Sequence, residues 1–171
     1  MTIAGALVIL VPVAEVHVAD LRRIRRTPEV AFRWYDVEAE PDWPFDEEDS
    51  TGFAIVYEDR VVGFIQYYEE NEPHYRHAGI DILVDPAVHG RGIGRDAVAT
   101  LAQHLIDDRG HHRLVIDPAA DNAPAIRCYA AVGFRPVGIL RQQEQDATGG
   151  GWHDALMMDL LADELVRPDA G

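Results

Sequence analysis

The run Val84-Asp85-Pro86-Ala87-Val88-His89-Gly90-Arg91-Gly92-Ile93-Gly94-Arg95 sets three glycines at alternate positions between an apolar segment and a helix-like one. Glycine lets a backbone take left-handed angles and approach a ligand closely. The first amides of a helix lack intrahelical acceptors and sit at the positive end of its dipole. Together these features make an anion cradle, most often for phosphate. A glycine-rich corner between a strand and a helix fits the same pattern. A Walker loop is excluded, because it ends in Gly-Lys-Ser or Gly-Lys-Thr and the chain has no lysine. A Gly-x-Gly-x-x-Gly dinucleotide loop is excluded as well, since counting from Gly90 puts Arg95 at its last position.

Three other side chains carry chemistry. Asp81 interrupts the apolar run Ile80-Asp81-Ile82-Leu83-Val84, and an isolated acid in such a strand is a site residue, a surface acid or the partner of a buried arginine. Asp117 precedes Pro118 and suits a site, a turn, or both. Tyr129 falls on a helix, where it serves the core or a site. Cys128 reads as a small buried residue rather than a nucleophile. The eight histidines show no metal-ligand spacing, so no metal is expected.

The elements that must position these residues follow from periodicity and turn residues. Strands are predicted at 7–13, 78–84, 114–118, 134–140 and 154–161, with a hairpin of 53–57 and 61–68 around Glu58-Asp59-Arg60. Helices are predicted at 18–26, 92–108 and 123–132, the last stopping at Gly133. Residues 36–50 and 145–151 read as irregular loops, and 167–171 as a frayed end. Strands first, then helix–strand alternation, then paired strands imply an α/β fold: one mixed central β-sheet with helices on both faces. The 171 residues suit a single domain.

Composition bounds the partners. Fifteen basic residues, all arginine, face 30 acids, for a formal charge of −15. Such a surface repels nucleic acid and anionic membranes and attracts cations, and it also serves solubility alone. One cysteine precludes an intramolecular disulfide. The apolar stretch 3–14 is too short to span a bilayer and has no basic residue before it. A cytoplasmic location is the expectation.

His89-Gly90-Arg91-Gly92-Ile93-Gly94 resembles the pyrophosphate loop of the GCN5-related N-acetyltransferases (GNATs), with His89 standing where that family has Arg or Gln. Downstream, Asn122-Ala123-Pro124-Ala125-Ile126-Arg127-Cys128-Tyr129, followed by Gly133-Phe134, resembles the family's second block. Asp81, Asp117 and Arg127-Cys128-Tyr129 together look most like the aminoglycoside 6'-N-acetyltransferases. The resemblance covers about residues 51–160. It implies a GNAT fold with a splayed strand pair at an acetyl-CoA site. It implies acetyl transfer to a primary amine by direct attack in a ternary complex.

The cofactor-binding residues so implied are Ile82, Val84, His89, Gly90, Arg91, Gly92, Ile93, Gly94, Arg95 and Asn122. The chemistry then asks for an acceptor of the ammonium proton, for which Asp81 is the candidate, and a proton donor to the leaving thiolate, for which Tyr129 is the candidate. A backbone amide near Val84 suits the oxyanion. Asp117, Glu69, Glu70, Tyr67 and Asp154 are the substrate-binding candidates, with Tyr68, Trp34 and Trp43 as stacking surfaces. The expected partner is a small cationic amine, an aminoglycoside first, with another amine or a protein N-terminus as the alternative. A non-catalytic CoA-binding module is a third reading. The chain is expected to be a monomer or a homodimer.

Overall fold

The computed structural model describes residues 1–167. The expected fraying falls on residues 168–171, outside the described residues, while Arg167 itself pairs with Asp107 at 2.7 Å and 2.8 Å.

Twelve regular elements build one eight-stranded sheet with helices on both faces. They are β1 (Ile3–Ala4), β2 (Ile9–Pro12), α1 (Val18–Arg25), α2 (Pro28–Trp34), β3 (Ser50–Tyr57), β4 (Arg60–Glu70), β5 (His77–Val84), α3 (Ile93–Asp107), β6 (Arg113–Ile116), α4 (Ala123–Val132), β7 (Arg135–Gln145) and β8 (Trp152–Leu161). The strand order is β1-β2-β3-β4-β5-β6-β8-β7, and only β5 and β6 run parallel.

The two faces have separate cores. Ile65, Tyr67 and Ile80 pack with Ala97, Leu101 and Leu105 of α3 and with Val132 of α4. Phe64 and Leu83, one residue out of phase, pack with Leu21 and Ile24 of α1 and Val30 of α2. Alternation along β4 and β5 sends successive side chains to opposite layers. Burying these apolar faces is the main stabilising term.

Several boundaries differ from the sequence reading. The strand expected at 7–13 is β2, which starts only at Ile9, and a short β1 ahead of it was not expected; between them the amides of Ala6, Leu7 and Val8 donate to Asp96 in the first turn of α3 at 3.2, 2.7 and 2.9 Å. The sequence reading missed α2, which starts at Thr27-Pro28 with proline in the first turn, where its absent N–H costs nothing. β7 runs five residues past the expected end, because β8 pairs with it across a bulge between Leu140 and Glu144. The hairpin turn is as expected, with Glu58 and Asp59 at φ 48° and 61°.

One pairing shapes the rest. β5 opposes β4 over eight residues, from Gly63↔Val84 to Glu70↔His77. It opposes β6 only at Ala78↔Leu114 and Gly79↔Val115. Beyond Gly79 the two parallel strands part, which is the expected splay.

The β4–β5 approach is tight at Gly63, where an added Cβ would lie 2.4 Å from the Leu83 carbonyl oxygen. Gly63→Ala should therefore destabilise the protein by about 1–3 kcal/mol through forced backbone displacement. A urea titration reads this as a lower midpoint, and an unchanged midpoint contradicts the close approach.

Candidate functional site

A cleft of about 310 Å³ opens where β5 leaves β6. It passes through the sheet, so residues from both faces of β5 line it: Ile80 and Ile82 from one face, Asp81 from the other. On the α3–α4 side it meets Asn122 and Tyr129 of α4. On the other side it meets Trp34, Tyr35 and Trp43, with Glu144 and His153 from the β7–β8 hairpin. Ile116, Asp117 and Pro118 form the β6 edge.

The backbone of β5 presents donors to this gap. The Asp85 amide donates to Val62 on the β4 side at 2.7 Å. By alternation, the amides of Ile82 and Val84 face the other way, into the opening. The Val84 carbonyl accepts from His89 Nε2 at 3.2 Å, so His89 closes its own loop. Gly90 and Gly92 adopt φ 78° and 79°, left-handed angles that glycine takes without strain. An added Cβ at Gly90 would meet nothing within 4 Å. α3 begins directly after, so its first amides point outward without intrahelical acceptors. Arg91, between the two glycines, and Arg95, in the first turn of α3, are both exposed. An open turn of left-handed glycines, free amides and two cations fits a pyrophosphate. Asn122 caps α4, accepting from the Ala125 amide at 3.4 Å.

The cleft itself is acidic. Glu40, Asp46, Glu47, Asp81, Asp117 and Glu144 line it, against Arg33 and His153. Arg33 is already held by Asp121 at 2.7 Å, and His153 by Asp146 at 2.9 Å. Asp81 is pushed up to about 6, by burial first and then by the charge of Asp117, against a stabilising hydrogen bond from Gln66. Burial and Glu144 also raise Asp117. Burial holds the Tyr129 hydroxyl well above the ordinary phenol range, so it stays protonated at neutral pH. A carboxyl poised near neutrality and a protonated phenol thus line one cleft.

Not every residue singled out from the sequence reaches the cleft. Tyr67 opposes Ile80 on the α3 face, is 7% exposed and stacks on Phe53 at 6.4 Å, so it belongs to the core. Gln66, its neighbour, opposes Asp81 and takes the cleft position instead. Glu69 shares the face of Tyr67. It accepts two bonds from Arg109 and one from His111, all at 2.8 Å. The Arg109 bonds hold it down to about 2, a permanent anion that ties β4 to the end of α3. Glu70 is exposed opposite His77 and accepts from the Glu72 amide at 2.8 Å. Asp154 accepts from the Gln142 amide at 2.8 Å and so holds the β7 bulge. Tyr68 lies over Gly79, where an added Cβ would come within 2.1 Å of its ring.

Gln66, Glu47, Glu144 and His153 were missed. Glu47 accepts from Gln66 Nε2 at 3.1 Å and from Ser50 Oγ at 2.9 Å. The acid run Asp46-Glu47-Glu48-Asp49 was the only signal for it. Among the described residues, no group of three or more His, Cys, Asp or Glu side chains is placed to hold a metal ion. No described helix is long and apolar enough to cross a membrane.

Comparison with known proteins supplies the context. The model of the Acetyltransferase (GNAT) family matches residues 18–134. Aminoglycoside N(6')-acetyltransferase type 1 of Klebsiella pneumoniae is 30% identical over 106 residues, 55% of this chain and 52% of that protein. The [Ribosomal protein bS18]-alanine N-acetyltransferase of Salmonella typhimurium is 39% identical over 83 residues, 47% of this chain and 52% of that one. The chain thus spans about half the length of these curated relatives. The structure of Mycobacterium smegmatis RimJ in complex with CoA-disulfide superposes with a TM-score of 0.83 at 23% identity, covering 98% of this chain and 90% of that one, a likeness of fold.

The raised Asp81 pKa has a stability signature. Between its ordinary 3.8 and about 6, the folded state binds more protons at Asp81 than the unfolded state does. Stability from this group is therefore fully present below pH 3.8 and lost as pH rises through 6. The loss is up to about 3 kcal/mol. Asp81→Asn should raise the urea midpoint at pH 8, with the gain vanishing near pH 4. An equal effect at both pH values contradicts an Asp81 whose ionisation is disfavoured in the folded state.

Proposed function

The chain belongs to the GNAT acetyltransferase family, and from that premise we propose that it is an acetyl-CoA-dependent N-acetyltransferase whose acceptor is a small polycationic amine, an aminoglycoside 6'-amine first. The observation that carries this reading is the acidic cleft through the sheet at the β5–β6 splay. It meets the glycine-loop side with Tyr129 and Asn122, and the carboxylate side with Asp81 and Asp117. A cofactor arm and an amine entering from opposite faces would meet in the gap.

A bound acetyl thioester supplies the electrophilic acyl carbon. Asp81 takes the proton that the ammonium must lose before its nitrogen can attack. The Ile82 and Val84 amides, turned into the gap, donate to the negative charge that develops on the acyl oxygen. As the C–N bond forms and the C–S bond breaks, Tyr129 gives its proton to the sulfur, and the second proton that the nitrogen sheds on becoming an amide restores the phenol. Asp117 and Glu144 hold the amine by charge and raise Asp81 toward the working pH. Direct transfer needs no covalent enzyme intermediate, in keeping with the burial that raises the Cys128 thiol.

The aminoglycoside preference rests on similarity to the 6'-acetyltransferase and on the negative charge lining the cleft. A protein N-terminus is the second reading, supported by similarity to the alanine N-acetyltransferase. An aminoglycoside brings several ammonium groups to the carboxylates, whereas an N-terminal peptide brings one at its reacting end.

An acceptor panel separates the two. The chain, with acetyl-CoA, should release CoA with kanamycin or tobramycin and give little with an alanine-led peptide. Peptide turnover without kanamycin turnover would reverse the assignment. Asp81→Asn should lower kcat/KM for the accepted amine by about 10²–10⁴-fold, with calorimetric CoA affinity unchanged, and on the wild type kcat/KM should climb with pH through about 6. Full activity in Asp81→Asn removes Asp81 from the chemistry.

A further inference from the structure

One wall of the cleft has almost no secondary structure to hold it. Between α2 and β3 the chain makes a single 3-10 turn, Val37–Ala39, yet it places Glu40, Trp43, Asp46 and Glu47 on the cleft. The wall hangs on arginines of α1.

Arg22 donates to three of its backbone carbonyls: Val37 at 2.9 Å, Glu40 at 3.1 Å and Trp43 at 3.3 Å. Arg25, nearly one turn on, is 1% exposed. Its Nη1 donates to Glu40 Oε2 at 2.6 Å, its Nη2 to the Trp34 carbonyl, and its guanidinium lies 4.6 Å from the Trp43 ring centroid. Arg26 Nε donates to Glu38 at 2.6 Å. Each residue that Arg25 grips, Trp34, Tyr35, Glu40 and Trp43, lines the cleft, and Arg25 itself does not.

We propose that Arg25 is a positioning residue for the acceptor. Its buried guanidinium fixes the 34–43 wall, and so sets which amine the cleft admits, without touching the reacting atoms. This rests on the acceptor side of the reading above. The geometry needs a planar fork of donors: one group reaches a carboxylate, a carbonyl and a ring face together, which a lysine ammonium on a flexible stem does not reproduce. A buried cation is costly unless paired, so the pairing with Glu40 is obligatory in this site. It also spends the Glu40 charge internally. Asp46, Glu47, Asp81, Asp117 and Glu144 are then the carboxylates left to meet an incoming ammonium.

The test compares wild type with Arg25→Met and Arg25→Lys in the full chain. Two of the three tryptophans, Trp34 and Trp43, lie against Arg25, so acrylamide quenching reports the wall independently of activity. Arg25→Met should at least double the quenching constant and raise the KM for kanamycin or spermine at least tenfold. Its kcat should change less than threefold and its calorimetric Kd for CoA less than twofold, and Arg25→Lys should recover part of the KM. A parallel loss of CoA affinity, or an unchanged KM with raised quenching, overturns the proposal. If Arg25→Met fails to fold, Arg22→Met is expected to give the same split, and its absence counts equally against it. If the wild type acetylates neither probe, the acceptor reading fails. The anchoring is then judged by quenching alone, and an unchanged constant in Arg25→Met refutes it.

Discussion

Parallel strands β5 and β6 share only two residue pairs, and the cleft exists because their pairing stops there. A fully zipped pair would consume the Ile82 and Val84 amides in ladder bonds and close the sheet between its two layers. With the strands apart, those amides turn into an opening that both faces can reach. α3 and α4 bring the glycine turn and Tyr129 to one side. The irregular segment between α2 and β3 and the β7–β8 hairpin bring carboxylates to the other. The antiparallel ladder with β4 keeps β5 rigid over the same residues. An opening in a sheet is a structural weakness, and here eight paired residues on the other edge compensate for it.

Charge is distributed in step with this division. The formal −15 is not spread evenly in its consequences. Glu69 and Asp107 are held down by arginines and tie elements together. Asp81 and Asp117, half-buried at the cleft, are pushed up instead. The first group stabilises the fold, and the second costs stability at neutral pH. The exposed arginines Arg91 and Arg95 lie in and just after the glycine turn, whose free amides suit an anion.

Local features of the sequence proved informative, and non-local ones did not. The glycine turn, the α4 helix with its Asn122 cap and Gly133 stop, and the Glu58-Asp59 hairpin turn depend on neighbours within a few residues. Asp81 stood out because a lone acid breaks an apolar run. Tyr67 and Gln66 could not be told apart, since which one faces the cleft depends on register with β5, and a one-residue change exchanges them. Glu69 looked free because its partners, Arg109 and His111, are 40 and 42 residues away. The irregular wall was recognised as irregular. What holds it was not, because arginine side chains reaching backbone carbonyls across 15 to 21 residues leave no periodic trace.

The parted β5–β6 edge makes a residue-level claim that amide hydrogen exchange reads directly. The Ile82 and Val84 amides should exchange rapidly in the free protein and become protected on addition of acetyl-CoA. Leu83 and Asp85, bonded toward β4, should be protected throughout. Ile82 and Val84 protected as strongly as Leu83 before any ligand is added would mean that the strands are zipped, and would contradict the account.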